Sequence, residues 1–128
     1  MRLLLDTHTF IWAATWDDRL SETAQALFLD SSNELYLSTA SIWEMAIKTS
    51  IGKLLLQQPI EQIINEQIQI NGLQILNIES AHALAVASLP WHHRDPFDRL
   101  LVSQSKLEHM PILGCDSIMD AYAIDRKW

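Results

Sequence analysis

Cysteine occurs once, at Cys115, so no internal disulfide can form and a reducing cytosol is the expected setting. Glycine, with three residues, and proline, with four, are scarce and scattered. No tract is Gly/Ser-rich, Pro-rich or of low complexity, and there is no repeat or linker, which points to a single domain over residues 1–128. Long apolar runs are missing too: the first ends after Leu3, Leu4 and Leu5, so neither a secretory leader nor a membrane span is expected. Cations are the minority, nine Lys and Arg against 16 Asp and Glu, for a formal charge of −7. That balance argues against polyanion binding, unless several acids converge on one metal site and the metal inverts the local field. Apolar residues, in contrast, make up 48% of the chain, enough for a sizeable core at this length.

The apolar residues are arranged in alternating strand and helix patterns. "LLL" at 3–5 lacks the alternation of a half-exposed strand and suits one buried on both faces of a parallel sheet. "THTFIWAA" suits a helix, as does "LSETAQALFLDSS", with Ser21 at its N-cap. "ELYLS" reads as a strand and "TASIWEMAIKTSIG" as a helix closed by Gly52. In "PIEQIINEQIQING", Ile60, Ile63, Ile64 and Ile68 form an apolar stripe ended by Asn71-Gly72, facing either the core or a dimer partner. "LQILNI" is a third strand, and "SAHALAVASL" a helix running to Pro90. "DPFDRLLVSQSKLEH" is a helix with Asp95 at the N-cap and Pro96 at N1; "PILGCD" is a fourth strand, and "YAIDRKW" offers a fifth. Strands separated by helices predict right-handed crossovers and a mostly parallel sheet covered on both sides, a three-layer α/β sandwich.

Four acids recur at or just beyond strand-to-helix junctions: Asp6, Glu44, Asp98 and Asp116. In a parallel sheet these junctions lie at the carboxyl edge, where open α/β sheets bind ligands. A helix N-terminus stabilises one such anion by a few tenths to ~1 kcal/mol, but four close together repel and raise one another's pKa. A divalent cation would relieve that repulsion, and an all-oxygen donor set suits Mg²⁺ or Mn²⁺ rather than zinc. Each acid also has an ordinary alternative. Asp6 can cap the helix after the first strand; Glu44 can form a capping box with Ser41 in "SIWE" or pair with Lys48 at i+4; Asp116 can be a turn residue. Asp95 is the plainest cap.

Other polar and aromatic residues carry less. His92 and His93 with Asp95 read as an exposed loop before a helix, without zinc spacing. His8 and His82 read as packing or surface residues. Trp12, Trp16, Trp43, Trp91 and Trp128 are expected in the core or half-buried, with some able to line a partner groove.

The ordered combination of "LLLDTHTFIW", "LSTASIWEMAIKTSIGKL", "DPFDRLLVSQS" and "ILGCD" resembles the PIN-domain ribonucleases, specifically the VapC-type toxins of bacterial toxin–antitoxin pairs, from end to end. The resemblance implies a PIN-like fold and a metal-dependent endoribonuclease whose acidic site falls on Asp6, Glu44, Asp98 and Asp116, holding one or two Mg²⁺ or Mn²⁺ ions. Thr7 corresponds to the hydroxyl beside the family's first acid, there to hold a water or a phosphate oxygen. Lys48 and Arg99 are placed to contact substrate phosphates, with paired surface charges as the alternative for both. The resemblance further implies a cytoplasmic protein, an RNA substrate, and a homodimer within a complex with an antitoxin whose basic tail enters the acidic cleft. Two positions depart from the family pattern: Gly114 stands where a Thr is frequent, and Met119 where an aromatic is frequent. Asp120 is therefore a second candidate for part of the role of Asp116.

Two other classes compete. A phosphotransfer domain also presents a strand-end Asp, but "DTH" has His8 where a haloacid-dehalogenase pattern needs a second Asp, and a receiver would want a lysine at a later strand end, where "ILGCD" offers Asp116. A catalytically inactive PIN-like binding module is the other, and the four intact acids count against it.

Overall fold

The computed structural model describes every residue from Met1 to Trp128. Its organisation follows from three consecutive leucines. Leu3, Leu4 and Leu5 lie on strand β1 (Arg2–Leu5), and all three are fully buried. Side chains alternate across a strand, so Leu3 and Leu5 enter one core with Phe10, Phe28, Leu37, Met45, Ile63 and Ile64. Leu4 enters a second core with Leu101, Val102, Ile112, Met119 and Tyr122. A strand lacking alternation thus feeds two separate cores, one on each face.

The remaining strands are β2 (Glu34–Ser38), β3 (Gln74–Leu76), β4 (Ile112–Leu113) and β5 (Arg126–Lys127). They form one sheet in the order β3-β2-β1-β4-β5, and every pairing is parallel. Helices α1 (Thr7–Thr15), α2 (Glu22–Leu29), α3 (Thr39–Ser50) and α4 (Ile60–Asn71) supply the first core; α6 (Pro96–Glu108) supplies the second, with α5 (Ser80–Ala85) against it. The expected three-layer α/β sandwich is the observed architecture. No helix is long and apolar enough to cross a membrane.

Chain order runs outward from β1 through β2 to β3, then returns to the other side of β1 for β4 and β5. The direction of winding therefore changes between β1 and β4, and a crevice opens at their carboxyl ends. Register places the functional junctions there. Leu5 is level with Leu37 and with Leu113, so Asp6, Ser38 and Gly114 come next in one row. The Asp6 N–H donates to the Leu113 carbonyl at 3.0 Å, extending the ladder by one bond before the chain turns into α1.

Several local expectations hold, and several are corrected. Ser21 caps α2 by accepting from the Ala24 N–H, and Asp95 caps α6 by accepting from the Phe97 and Asp98 N–H groups. The capping box in "SIWE" does not form: β2 runs straight into α3, Ser38 is the N-cap, and Ser41 and Glu44 lie inside the helix. The segment after β3 is divided, with α5 giving way to a single tighter turn at Val86–Ser88 before Pro90. A 3₁₀ segment at Ser117–Tyr122, capped by Asp116, stands where no helix was expected. Of the tryptophans, Trp16, Trp43 and Trp91 are exposed rather than in the core or half-buried: Trp16 is the C-cap of α1, Trp43 is on the outer face of α3, and Trp91 is in the loop before α6. The Ile stripe of α4 faces the core through Ile63 and Ile64, while Ile68 is exposed.

Candidate active site

Asp6 is both cap and cleft residue. It is 4% exposed, and Oδ1 accepts from the Thr7 N–H at 2.8 Å. Burial is the main reason its pKa rises from 3.8 to about 6; the Thr7 bond opposes the shift, and Glu44, Asp116 and Asp95 add to it by repulsion. The neighbours that Asp6 feels therefore come from α3, from the end of β4 and from the start of α6, which sequence separation alone does not bring together.

Glu44 is buried at 3% exposure and held at both oxygens. Lys48 Nζ lies 2.7 Å from Oε2, the i+4 pair anticipated from the sequence, here on an inward face. Thr7 Oγ1 lies 2.7 Å from Glu44 Oε1 and 2.8 Å from Ser41 Oγ. A hydroxyl has one proton, and an ionised carboxylate can only accept, so Thr7 donates to Glu44 and accepts from Ser41. Thr7 thus ties α1 to α3 beneath the cleft.

Asp98 stands in the first turn of α6, half-buried. Its pKa rises from 3.8 to about 7, first through burial and then through repulsion by Asp6, Asp95 and Glu44. His93 Nε2 lies 3.5 Å from Asp98 Oδ2. Asp116 is exposed at the cap of the 3₁₀ segment and accepts from the Ile118 N–H at 3.1 Å. Asp120 is turned elsewhere: Arg126 engages it through two bonds of 2.8 and 3.0 Å, and the pairing lowers its pKa. Of the two, Asp116 is the acid whose charge reaches Asp6.

Gly114 is the packing reason that Asp6 sits where it does. A Cβ at this position would lie 3.0 Å from Asp6 Cβ and 3.4 Å from its Oδ2. The absent side chain is what lets Asp6 lean against the end of β4.

Arg99 is corrected. Placed from the sequence to meet substrate phosphates, it is 2% exposed. Its Nη1 donates to the Pro90 carbonyl at 2.7 Å and the Tyr122 hydroxyl at 3.2 Å; Nη2 donates to the carbonyls of Val86 and Leu89, each at 3.3 Å. Trp91 covers the guanidinium, 3.9 Å from its ring centre. These partners take up all four Nη hydrogens inside the protein and fasten the loop before α6, so the paired face of the guanidinium that a phosphate would need is already occupied. His82 is likewise structural, with Nδ1 accepting from the Glu79 N–H at 2.9 Å and Nε2 lying 2.9 Å from Glu108. Sequence reading missed the pairing of His93 with Tyr122, because a residue in a 3₁₀ turn 29 positions away carries no local signal of it.

No three His, Cys, Asp or Glu side chains close into a ready-made metal cage. The donor set nevertheless fits a hard divalent cation. The acids are oxygen donors at one sheet edge, and two of them have their ionisation opposed by burial and by each other, the condition that cation binding relieves.

Comparison with known proteins gives this geometry a context. The PIN domain family model matches residues 3–125. Ribonuclease VapC16 of Mycobacterium tuberculosis (strain ATCC 25618 / H37Rv) is 34% identical over 65 residues, 51% of this chain and 45% of that protein. That match spans less than half the length of the relative. Among solved structures, VapBC2 from Rickettsia felis bound to a promoter DNA fragment superposes with a TM-score of 0.71 at 14% identity, covering 99% of this chain and 98% of that one. FitAcB from Neisseria gonorrhoeae gives 0.66 at 18% identity, covering 97% and 95%. DNA-bound VapBC from Salmonella typhimurium gives 0.68 at 14% identity, covering 99% and 97%. At these identities the structural likeness is one of fold.

Proposed function

The chain belongs to the PIN-domain family, and from that premise we propose that it is a divalent-metal-dependent endoribonuclease acting as the toxin of a toxin–antitoxin pair. The observation that carries the proposal is the placing of Asp6 and Asp98 in one crevice, both pushed toward protonation by burial and mutual repulsion. A structural role would be better served by neutral residues there. A cluster held against its own repulsion is expected where a cation is to be bound.

In this scheme Asp6, Glu44 and Asp98 hold Mg²⁺ or Mn²⁺, and Asp116 completes the acidic rim. The ion would supply charge neutralisation at the phosphodiester and acidify an attacking water. The chain's own groups do the rest. Thr7 and Ser41 orient Glu44, and Lys48 balances its charge. Beside them lies a recess of about 260 Å³, lined in part by Thr7, His8, Lys48 and Lys53. Lys53 there, which makes no ion pair, offers positive charge to an RNA phosphate in a protein that is acidic overall.

The partner follows from the same electrostatics. An acidic crevice in a chain of charge −7 suits a tail carrying Arg or Lys. The likeness to the VapBC and FitAcB structures supports an antitoxin as partner; that the antitoxin carries the basic tail and meets a toxin homodimer is part of the same proposal. A phosphotransfer role loses its support with the family assignment, and the remaining rival is an inactive binding module. RNA cleavage by the purified chain separates the two: activity with Mn²⁺ or Mg²⁺, abolished by EDTA and by Asp6→Asn, is expected. A folded protein that binds RNA without cutting it under any of these metals would favour the binding module. Co-expression with a candidate antitoxin tests the partner, which should suppress cleavage on binding.

A further inference from the structure

Tyr122 is 1% exposed, and its hydroxyl has two acceptor positions and one proton. The backbone N–H of His93 donates to it at 3.2 Å, and Arg99 Nη1 donates to it at 3.2 Å. Both acceptor positions are then filled, and the phenol proton has one neighbour left, His93 Nδ1 at 2.6 Å. An Nδ1 that accepts carries no proton, so the neutral ring bears its hydrogen on Nε2. A doubly protonated ring would bring a third donor to the tyrosine oxygen and leave the phenol proton without an acceptor. The count of donors therefore selects the tautomer.

That Nε2 is shielded from solvent and has no hydrogen-bond partner. A buried, unpaired N–H is costly, and native interiors rarely leave one. The nearest acid is Asp98, whose Oδ2 is 3.5 Å away, a small side-chain adjustment from hydrogen-bond distance. The ring itself is not free to adjust. Tyr122 holds one edge, and Tyr122 is held by Arg99, whose other Nη hydrogens grip the carbonyls of Val86, Leu89 and Pro90.

We propose that His93 is a positioning residue for Asp98: Arg99 and Tyr122 fix the imidazole so that its Nε2–H takes Oδ2 and leaves Oδ1 directed to the crevice. The inference rests on the assignment of Asp98 to the metal-binding set. Histidine commonly positions a ligand's carboxylate or is positioned by one, and loss of such a support costs roughly 10–100-fold in metal affinity. Here the support is built from a buried tyrosine and arginine that touch neither metal nor substrate.

Two substitutions divide the ring's functions. In His93→Asn the amide reaches the position of Nδ1 and keeps Tyr122 satisfied, but offers nothing to Asp98. In His93→Gln the longer amide reaches the position of Nε2 and restores a donor to Asp98. Mn²⁺ affinity, measured by calorimetry on the full chain, should fall about tenfold in His93→Asn and recover most of that in His93→Gln. A purely structural role for His93 predicts the opposite ranking, and equal affinities or a better-binding Asn variant would overturn the proposal. A second measurement needs neither metal nor a His93 variant. Imidazole ¹⁵N spectra of the metal-free protein should show the proton on Nε2, and Asp98→Asn should move the Nε2–H resonance. A proton on Nδ1, or an Nε2–H signal indifferent to Asp98→Asn, would overturn it. A wild-type chain that binds no Mn²⁺ and cleaves no RNA would refute the nuclease proposal, while the spectra would still decide whether His93 holds Asp98.

Discussion

Replacing Asp98 by Asn separates what the acidic cluster costs the fold from what it is there to do. The carboxyl is held at about 7 instead of 3.8, chiefly by burial and then by Asp6. A folded-state pKa above the unfolded one means that the native chain binds the proton more tightly. The resulting stabilisation is complete below the unfolded value and is lost as pH rises through the folded one. Between those limits the loss corresponds to about 4 kcal/mol for an isolated group. Partial exposure and sharing of the repulsion with Asp6 reduce this to roughly 2 kcal/mol. Asparagine preserves the shape and has no charge to bury. In EDTA at a pH of about 8, Asp98→Asn should therefore be more stable than the wild type by roughly 1–2 kcal/mol, or several degrees in Tm. At a pH of about 3 the two should coincide, because the wild-type carboxyl is then largely protonated in both the native and the unfolded chain. Millimolar Mn²⁺ should reverse the order by raising the wild-type Tm much more than the variant's. RNA cleavage should fall by about two orders of magnitude or more, the loss expected when a ligating charge is removed. Thermal scans at the two pH values, with and without Mn²⁺, suffice. A variant no more stable than wild type at the higher pH in EDTA, or one that keeps the full Mn²⁺ stabilisation, would refute the reasoning.

Asp95→Ala removes the cap that accepts from the Phe97 and Asp98 N–H groups and should cost about 1 kcal/mol in urea unfolding. It should keep most activity once folded; an inactive but stable Asp95→Ala would mean that cap and ligand are exchanged between Asp95 and Asp98. Gly114→Ala puts a Cβ 3.0 Å from Asp6 Cβ, and relieving the overlap should cost roughly 1–2 kcal/mol and displace Asp6. Its Mn²⁺ affinity and cleavage rate should drop together, and wild-type values for both would refute the role given to Gly114. Arg99→Lys keeps the charge and loses the fork that joins three carbonyls to Tyr122, so destabilisation of roughly 2–4 kcal/mol is expected. A stable variant with a raised KM for RNA would instead return Arg99 to the phosphate-binding role denied by its burial.

The sequence by itself determined the elements and the edge at which chemistry gathers. Strand and helix signals are local: three buried leucines, the Ser21 and Asp95 caps, the Pro96 start and the Gly72 stop each act within a few residues, and each appears in the structure at the expected place. Strand-end acids could be assigned to one rim because parallel strands present all their carboxyl ends together. Which acids feel one another was decided only by the fold. The change of winding at β1 sets Asp6 beside the end of β4, and the missing side chain of Gly114 lets them approach. The capping box at Ser41 and Glu44 failed for a similar reason. Local pattern allowed it, but the β2 register started the helix at Ser38 and turned both residues inward toward Thr7. Arg99 and His93 mark the limit most clearly. A charge beside an acidic motif looks free in one dimension. Its partners, the Tyr122 hydroxyl and a set of loop carbonyls, come within reach only when α6 packs against the 3₁₀ segment after β4. Caps and periodicity are short-range properties of a chain, whereas the satisfaction of a buried charge depends on contacts between segments that only tertiary packing brings together.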